Sequence, residues 1–275
     1  MTSGTTRLAP LEVLYDAGAD RDGSDHDLPP DLAKLYGGPL RLDRPAVYAN
    51  FVSTIDGLVA LPHVSKGNRV ISDGSEADRF VMGVLRARAD VVLVGSGTLH
   101  AHPTIRWTPE EAHPPSATAY AAYRDQLGLP PAPTVAVLSR SGRLDVNHPA
   151  VVAGAVVLTS PEGADRLRGR LPDESRVVPL GDGADPTAAI EGLRSLGHRY
   201  ILSEAGPHVF GAMLAAGVVD ELFLTRSPLL AGRSVEFPGM SLVEGTSLVP
   251  GRTPVGRLVG LRKHGEHLFL RYAFD

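Results

Sequence analysis

The chain contains no cysteine. Disulfides, thiolate metal sites and a cysteine nucleophile are therefore excluded, and no metal site is expected. Positive charge is not in excess either. Lys and Arg number 27 against 31 Asp and Glu, a net charge of -4 with pI ≈ 6.2, so nothing in the global charge draws the chain to nucleic acid or an anionic membrane. No uninterrupted apolar run approaches the roughly 20 residues of a membrane span. The first residues lack the basic-then-apolar order of a secretory leader, and there is no internal repeat. What remains reads as a soluble, cytoplasmic chain whose 275 residues, 43% of them hydrophobic, suffice for a full core.

Two strand-to-turn segments stand out. Val91-Val92-Leu93-Val94 runs into Gly95-Ser96-Gly97-Thr98, and Tyr200-Ile201-Leu202-Ser203 runs into Glu204-Ala205-Gly206-Pro207. Glycine has no Cβ, so backbone at such turns can approach a ligand closely. As two halves of one phosphate-binding crevice they suit a dinucleotide. The first turn is not a full Rossmann fingerprint, because His100 stands where a third glycine is required. A turn of small residues without a ligand accounts for it as well. The second turn opens a helix at Pro207, whose first free N–H groups, on His208 and Val209, present donors and a positive dipole end to a phosphate. Glu204 beside an anion site is awkward unless it binds a ribose hydroxyl or a substrate amine. A helix-flanking carboxylate with no ligand is the alternative, and the residues leave both open.

Residues 1–45 differ from the rest. The Asp- and Gly-rich stretch 17–30 predicts a mobile segment, 31–36 one or two helical turns stopped by Gly37-Gly38, and the whole an arm packed on a body at 46–275. Beyond it, short β-branched runs predict strands over 47–52, 91–94, 134–138, 155–158, 176–180, 200–202 and 221–225. Runs of this kind suit strands buried on both faces, hence a largely parallel sheet. Helices start at Pro161, Pro186 and Pro207, since proline fits the first helical position. Residues 258–263 and 267–272 flank a turn and predict an antiparallel C-terminal hairpin. The proline-rich stretch 108–119 reads as an excursion, with Trp107, Tyr120 and Tyr123 either closing over a ligand or burying the excursion. The fold class is α/β: a mixed, mostly parallel sheet with helices on both faces and an antiparallel C-terminal edge.

A third constellation, Ser53-Thr54-Ile55-Asp56-Gly57, carries a strand into a polar turn where Ser53 and Asp56 can face a crevice. Asp-Gly is also a common turn dipeptide that needs no function, and Arg86 alone reads as a solvated charge.

In order and spacing, Ser53-Thr54-Ile55-Asp56-Gly57, the run from Leu85-Arg86 to Gly95-Ser96-Gly97-Thr98, Glu204-Ala205-Gly206-Pro207, Val219-Asp220-Glu221-Leu222 and Ser227-Pro228-Leu229-Leu230-Ala231-Gly232 resemble the signature blocks of the riboflavin-biosynthesis pyrimidine reductases. These are the reductase half of the bifunctional deaminase-reductase, with a dihydrofolate-reductase-like fold. The resemblance covers about residues 46–275, and the arm resembles that of stand-alone actinobacterial members. The deaminase zinc signature needs cysteines that this chain lacks.

The resemblance implies NADPH as hydride donor and a phosphorylated ribosylaminopyrimidine as small-molecule substrate. It also implies a homodimer, for which the hairpin at 258–274 is an expected edge. By motif, Gly95, Gly97 and Thr98 are expected on the nicotinamide side, Gly206, Pro207, His208 and Val209 at the pyrophosphate, and Ser139 and Arg140 near the adenosine 2′-phosphate. Ser53, Asp56, Arg86, Arg106 and Glu204 are expected to line the substrate side, with Arg86 and Arg106 at the ribose phosphate and Asp56 or Glu204 as the catalytic carboxyl group. The chain departs from the family in two places. Ala101-His102-Pro103 replaces a longer acidic run, leaving His102 as an adapted acid, a cofactor contact or a solvated imidazole. Ala205 replaces a glycine. Two other functions stay compatible with the sequence: a dihydropterin reductase on the same fold, and an NADPH-binding protein without turnover.

Overall fold

The computed structural model describes residues 8–19, 27–42, 44–61, 67–181, 185–251 and 253–274. Half of the Asp- and Gly-rich stretch expected to be mobile, residues 20–26, lies outside the described residues.

The core of the molecule is a ten-stranded sheet. In chain order its strands are β1 (Glu12–Asp16), β2 (Ala46–Ser53), β4 (Val91–Gly95), β5 (Thr134–Leu138), β6 (Ala155–Thr159), β7 (Arg176–Pro179), β8 (Tyr200–Ser203), β9 (Glu221–Arg226), β11 (Gly256–His264) and β12 (His267–Phe274). A separate two-stranded sheet pairs β3 (Leu58–Ala60) with β10 (Met240–Ser241). The spatial order is β1-β11-β12-β9-β2-β8-β4-β5-β6-β7. From β9 to β7 all neighbours are parallel, and β12, β11 and β1 continue antiparallel. The seven strands expected from the sequence and the C-terminal hairpin are all present.

Alternation sends successive side chains to opposite faces. Val92 and Val94 join one core with Tyr48, Leu202 and Phe80, while Val91 and Leu93 join the other with Phe51, Ile201 and Phe210. The first face is covered by α1 (Pro30–Tyr36), α3 (Glu76–Arg88) and α6 (Ala117–Gln126), the second by α9 (Pro186–Ser195) and α10 (Pro207–Ala215). Proline opens α8 (Pro161–Leu167), α9 and α10, as expected. The side chain of Ser160 caps α8 by accepting from Gly163 N–H, and that of Asp185 caps α9. The remaining helices are α2 (Gly67–Ile71), α4 (Ser96–Ala101), α5 (Pro109–Ala112) and α7 (Pro149–Val152).

Three segments differ from the sequence reading. The proline-rich excursion is helical: Pro109 opens α5, Pro114 a 3-10 turn, and α6 follows. Its aromatics, Trp107, Tyr120 and Tyr123, are buried under it. Tyr120 donates to the Phe80 carbonyl, and its ring lies so close to Gly83 that a Cβ there would sit 2.5 Å from it. The arm is also more than packing material. β1 pairs with β11, Arg262 ties Tyr36 O and Asp16 to the hairpin, and Leu11, Leu32, Leu40 and Leu42 enter the first core. Finally, the C-terminal hairpin has no open edge, because β12 lies against β9 and β11 against β1. The exposed edge is β1, with Val13, Leu14 and Tyr15 facing solvent. Among the described residues, no helix is long and apolar enough to cross a membrane.

Candidate active site

The parallel strands β2, β8, β4 and β5 end along one edge of the sheet, where α/β sheets carry their ligand crevices. β8 enters the sheet late, between β2 and β4, so the turns leaving β4 and β8 meet there. An ideal Cβ on Gly95 would lie 3.5 Å from the Val209 Cγ2, and one on Gly206 would lie 3.8 Å from the Thr98 Oγ1. The two glycine turns therefore face each other across a narrow gap. Around Gly97 a Cβ would meet nothing within 4 Å, so the backbone there is open to an approaching group. α10 starts at this gap with Gly206 as its N-cap (φ -67, ψ 172), leaving the N–H groups of His208 and Val209 at the helix start. His208 is exposed and Val209 half-buried. One strand further along, Gly95 is in register with Leu138, so Ser139, buried, and Arg140, exposed, extend the same edge. Gly95, Gly97, Thr98, Ser139, Arg140, Gly206, Pro207, His208 and Val209 are thus brought together. The cradle of glycines and helix N–H donors fits a dinucleotide's phosphates, and Arg140 is a forked cation within the same edge. Ala205 carries no positive φ, so its replacement of glycine is unstrained.

Three carboxyl groups on the elements around this edge stand in different environments. Glu204, immediately after β8, donates its backbone N–H to Leu93 O and is gripped by Arg86 from α3. Arg86 Nε reaches Glu204 Oε1 at 2.8 Å and Nη2 reaches Oε2 at 2.7 Å, with side-chain exposures of 5% and 10%. Nη1 donates to Thr108 O at 3.2 Å. That carbonyl follows Trp107, a non-glycine residue at φ 57, a conformation held in place by the buried indole. The expectation of Arg86 as a free phosphate ligand meets a different arrangement: its guanidinium is engaged three ways within the protein. A carboxylate has about four lone-pair sites, and the Arg86 bonds use two of those on Glu204.

Asp56 sits in the turn after β2 and faces solvent. Hydrogen bonds from the Thr54 hydroxyl and from the N–H groups of Ala231 (3.1 Å) and Gly232 (2.7 Å) hold its pKa down to about 2. At neutral pH it is an acceptor that ties the 229–232 loop to the turn, without a proton to give. Ser53 is buried with its hydroxyl unpartnered, as is Ser227, whose N–H donates to Ser53 O. Arg106 is exposed, its backbone N–H bonded to Glu111.

The fold brings forward one residue that sequence reasoning missed, Asp78, and settles the surroundings of another, His102. Asp78, in the first turn of α3, is wholly buried, and burial pushes its pKa up to about 6 despite a hydrogen bond from the Thr225 hydroxyl. In the sequence it looks like an ordinary acidic residue after an N-cap serine, and Ser75 does cap the helix through Asp78 N–H. Only the fold turns its side chain inward. His102 is half-buried rather than solvated. Burial lowers its pKa, opposed by the charge of Glu204, and its ring lies edge-on to Trp107. Among the described residues, no group of His, Asp and Glu side chains is placed to hold a metal ion.

A mostly parallel sheet with an antiparallel C-terminal hairpin, and two glycine turns opposed at the carboxyl ends of its central strands, defines a dihydrofolate-reductase-like α/β protein. The RibD C-terminal domain model matches residues 45–252. The chain belongs to that family, the pyrimidine reductases of riboflavin biosynthesis. Solved structures agree on the fold. A pyrimidine reductase-like protein from Corynebacterium diphtheriae aligns with TM-score 0.64 at 24% identity, over 84% of this chain and 92% of that one. The deaminase/5-amino-6-(5-phosphoribosylamino)uracil reductase of Thermotoga maritima gives 0.59 at 20%, over 85% of this chain but only 57% of its own length. The riboflavin biosynthesis reductase of Saccharomyces cerevisiae gives 0.56 at 14%, over 84% and 90%. No curated protein sequence matches the chain significantly.

Proposed function

We propose that this chain uses NADPH to reduce a 5-amino-6-ribosylaminopyrimidine 5′-phosphate to the ribitylamino compound. The observation that carries the reading is the opposed pair of glycine turns, with the Arg86-held carboxylate of Glu204 beside them. Bound in that cradle, the nicotinamide supplies a hydride. Gly206, His208 and Val209 hold its pyrophosphate, Gly95, Gly97 and Thr98 lie on its nicotinamide side, and Arg140 with Ser139 meets the adenosine 2′-phosphate.

In the substrate, the bond between C1′ and the ring oxygen of the ribosylamine opens to an imine and a free hydroxyl. A hydride supplied by bound NADPH would add to C1′ while the nitrogen takes a proton from solvent, giving the ribitylamine. Glu204 is fixed in orientation by its two bonds to Arg86 and keeps lone pairs for the ribosylamine N–H or a sugar hydroxyl. Asp56 contributes negative charge and orders the 229–232 loop over the same edge. Arg106 takes the ribose phosphate, since Arg86 is engaged by Glu204 and Thr108. Holding C1′ against the hydride supplies roughly 7 to 11 kcal/mol of barrier lowering. Glu204→Gln with Asp56→Asn, assayed by NADPH oxidation, tests the two carboxyl groups: unchanged kcat with unchanged substrate binding would remove both from the chemistry. The enzyme is proposed to be a cytoplasmic homodimer. With the hairpin edge covered by β1, that outer strand takes its place as the edge proposed to pair, and a monomer in sedimentation at micromolar concentration would remove that reading.

A further inference from the structure

We propose that Glu111 is a positioning residue for the reduction, setting the backbone that carries Arg106 on one side of Trp107 and supports the Arg86–Glu204 pair on the other. The inference rests on the proposed reductase function, in which Arg106 takes the ribose phosphate and Glu204 meets the ribosylamine.

Glu111 is the third residue of α5, whose N-cap is Thr108. An acidic side chain at that position ordinarily bonds back to the N-cap N–H. Glu111 does so, its Oε2 accepting from Thr108 N–H at 3.3 Å. Its shorter contact lies elsewhere. The Arg106 N–H, five residues back, reaches Oε2 at 2.9 Å and Oε1 at 3.2 Å, a bond that capping does not require. One exposed carboxylate thus holds the N–H groups of the residues on both sides of Trp107.

Trp107 is the place where such a hold matters. At φ 57 it occupies the left-handed region that non-glycine residues seldom adopt. Its buried indole lies between two imidazoles, His102 edge-on with 6.5 Å between ring centroids and His148 tilted by 34° at 5.8 Å. Ring packing fixes the side chain, and the hydrogen bonds to Glu111 fix the peptide groups that flank it.

From Thr108 the connection runs inward. Its carbonyl accepts from Arg86 Nη1 at 3.2 Å, and Pro109 after it confines Thr108 to extended backbone, φ -85 and ψ 156. Arg86 directs two further N–H groups at Glu204, at 2.8 and 2.7 Å. Glu111 therefore sets the spacing between the group at the phosphate end of the substrate and the carboxylate at its reacting end. Alanine at 111 removes both backbone bonds. Glutamine keeps an oxygen that accepts them and removes only the charge.

The test compares kcat/KM for the ribosylaminopyrimidine 5′-phosphate and for the same compound without its phosphate, in the wild type, Glu111→Ala and Glu111→Gln, together with the NADPH dissociation constant of each protein. The expected result is a wild-type preference for the phosphorylated compound that falls about 10-fold in Glu111→Ala, as for the loss of one well-aligned hydrogen bond. Glu111→Gln should restore the preference, with NADPH binding the same in all three. No preference in the wild type, a preference untouched by Glu111→Ala, or a Glu111→Gln as impaired as Glu111→Ala would overturn the inference and leave the reductase function standing. Weakened NADPH binding by Glu111→Ala would overturn it too, because a general defect of the fold would then account for the loss. Turnover of neither compound by the wild type would overturn the function itself and the inference with it.

Discussion

Replacing Asp78 by asparagine changes how the protein's stability depends on pH, and by a calculable amount. The carboxyl group titrates at about 6 in the folded protein against an ordinary 3.8. A difference of about two pKa units corresponds to roughly 3 kcal/mol. The folded state holds the proton more tightly than the unfolded state, so the penalty is fully present above pH 6 and shrinks as pH falls from 6 toward 4. At pH 4.5 about 2 of those 3 kcal/mol have been recovered. Asparagine has its own solvation and packing, which shift the comparison by a constant. The quantity to read is therefore the change with pH in the stability gap between variant and wild type. Urea unfolding at pH 7.5 and pH 4.5 measures it, followed by the fluorescence of the single tryptophan, Trp107, which is 2% exposed. The stability of Asp78→Asn relative to the wild type should fall by about 2 kcal/mol on going to pH 4.5. A gap that does not change with pH would refute the reasoning, because it would mean that Asp78 is not an ionised group held in the interior.

Other perturbations probe the rest of the site. Arg86→Met strands the Glu204 carboxylate and should destabilise by about 3 to 5 kcal/mol, with Glu204→Gln in the same chain restoring part of the loss in a double-mutant cycle. Gly206→Ala fits the backbone at φ -67 with its nearest contact at 3.8 Å. It should leave the unfolding midpoint in place while its methyl group weakens NADPH binding about 10-fold, the scale of one displaced hydrogen bond. Asp56→Ala frees the N–H groups of Ala231 and Gly232, and amide exchange should show both losing protection. The wild type should show the same loss as pH falls from about 4 through 2, since the lowered pKa of Asp56 makes its bonds present above that range and absent below it.

The parts legible in the sequence are those written in local chemistry. Apolar β-branched runs give strands wherever both faces are covered, proline opens α8, α9 and α10, and the two glycine turns sit at the ends of β4 and β8. β1 escaped because Glu12–Asp16 is a short edge strand whose apolar residues, Val13, Leu14 and Tyr15, are consecutive and exposed, so it carries no alternating pattern. The helices of the 108–126 region escaped because their prolines serve as first-turn residues, where proline starts a helix instead of breaking one. The Arg86–Glu204 pair joins residues 118 positions apart, and no local pattern announces it. Asp78 has the commonest disguise of all, an acidic residue in the first turn of a helix.

The central claim is hydride transfer from NADPH to a phosphorylated ribosylaminopyrimidine. Loss of nicotinamide absorbance, followed with the diamino and the uracil forms of that substrate and with dihydrofolate in parallel, tests it most directly. Oxidation of NADPH with a ribosylaminopyrimidine phosphate, with ribitylamino product and no turnover of dihydrofolate, is the predicted result. Turnover of dihydrofolate alone, or tight NADPH binding with no oxidation by any of the three, would contradict it.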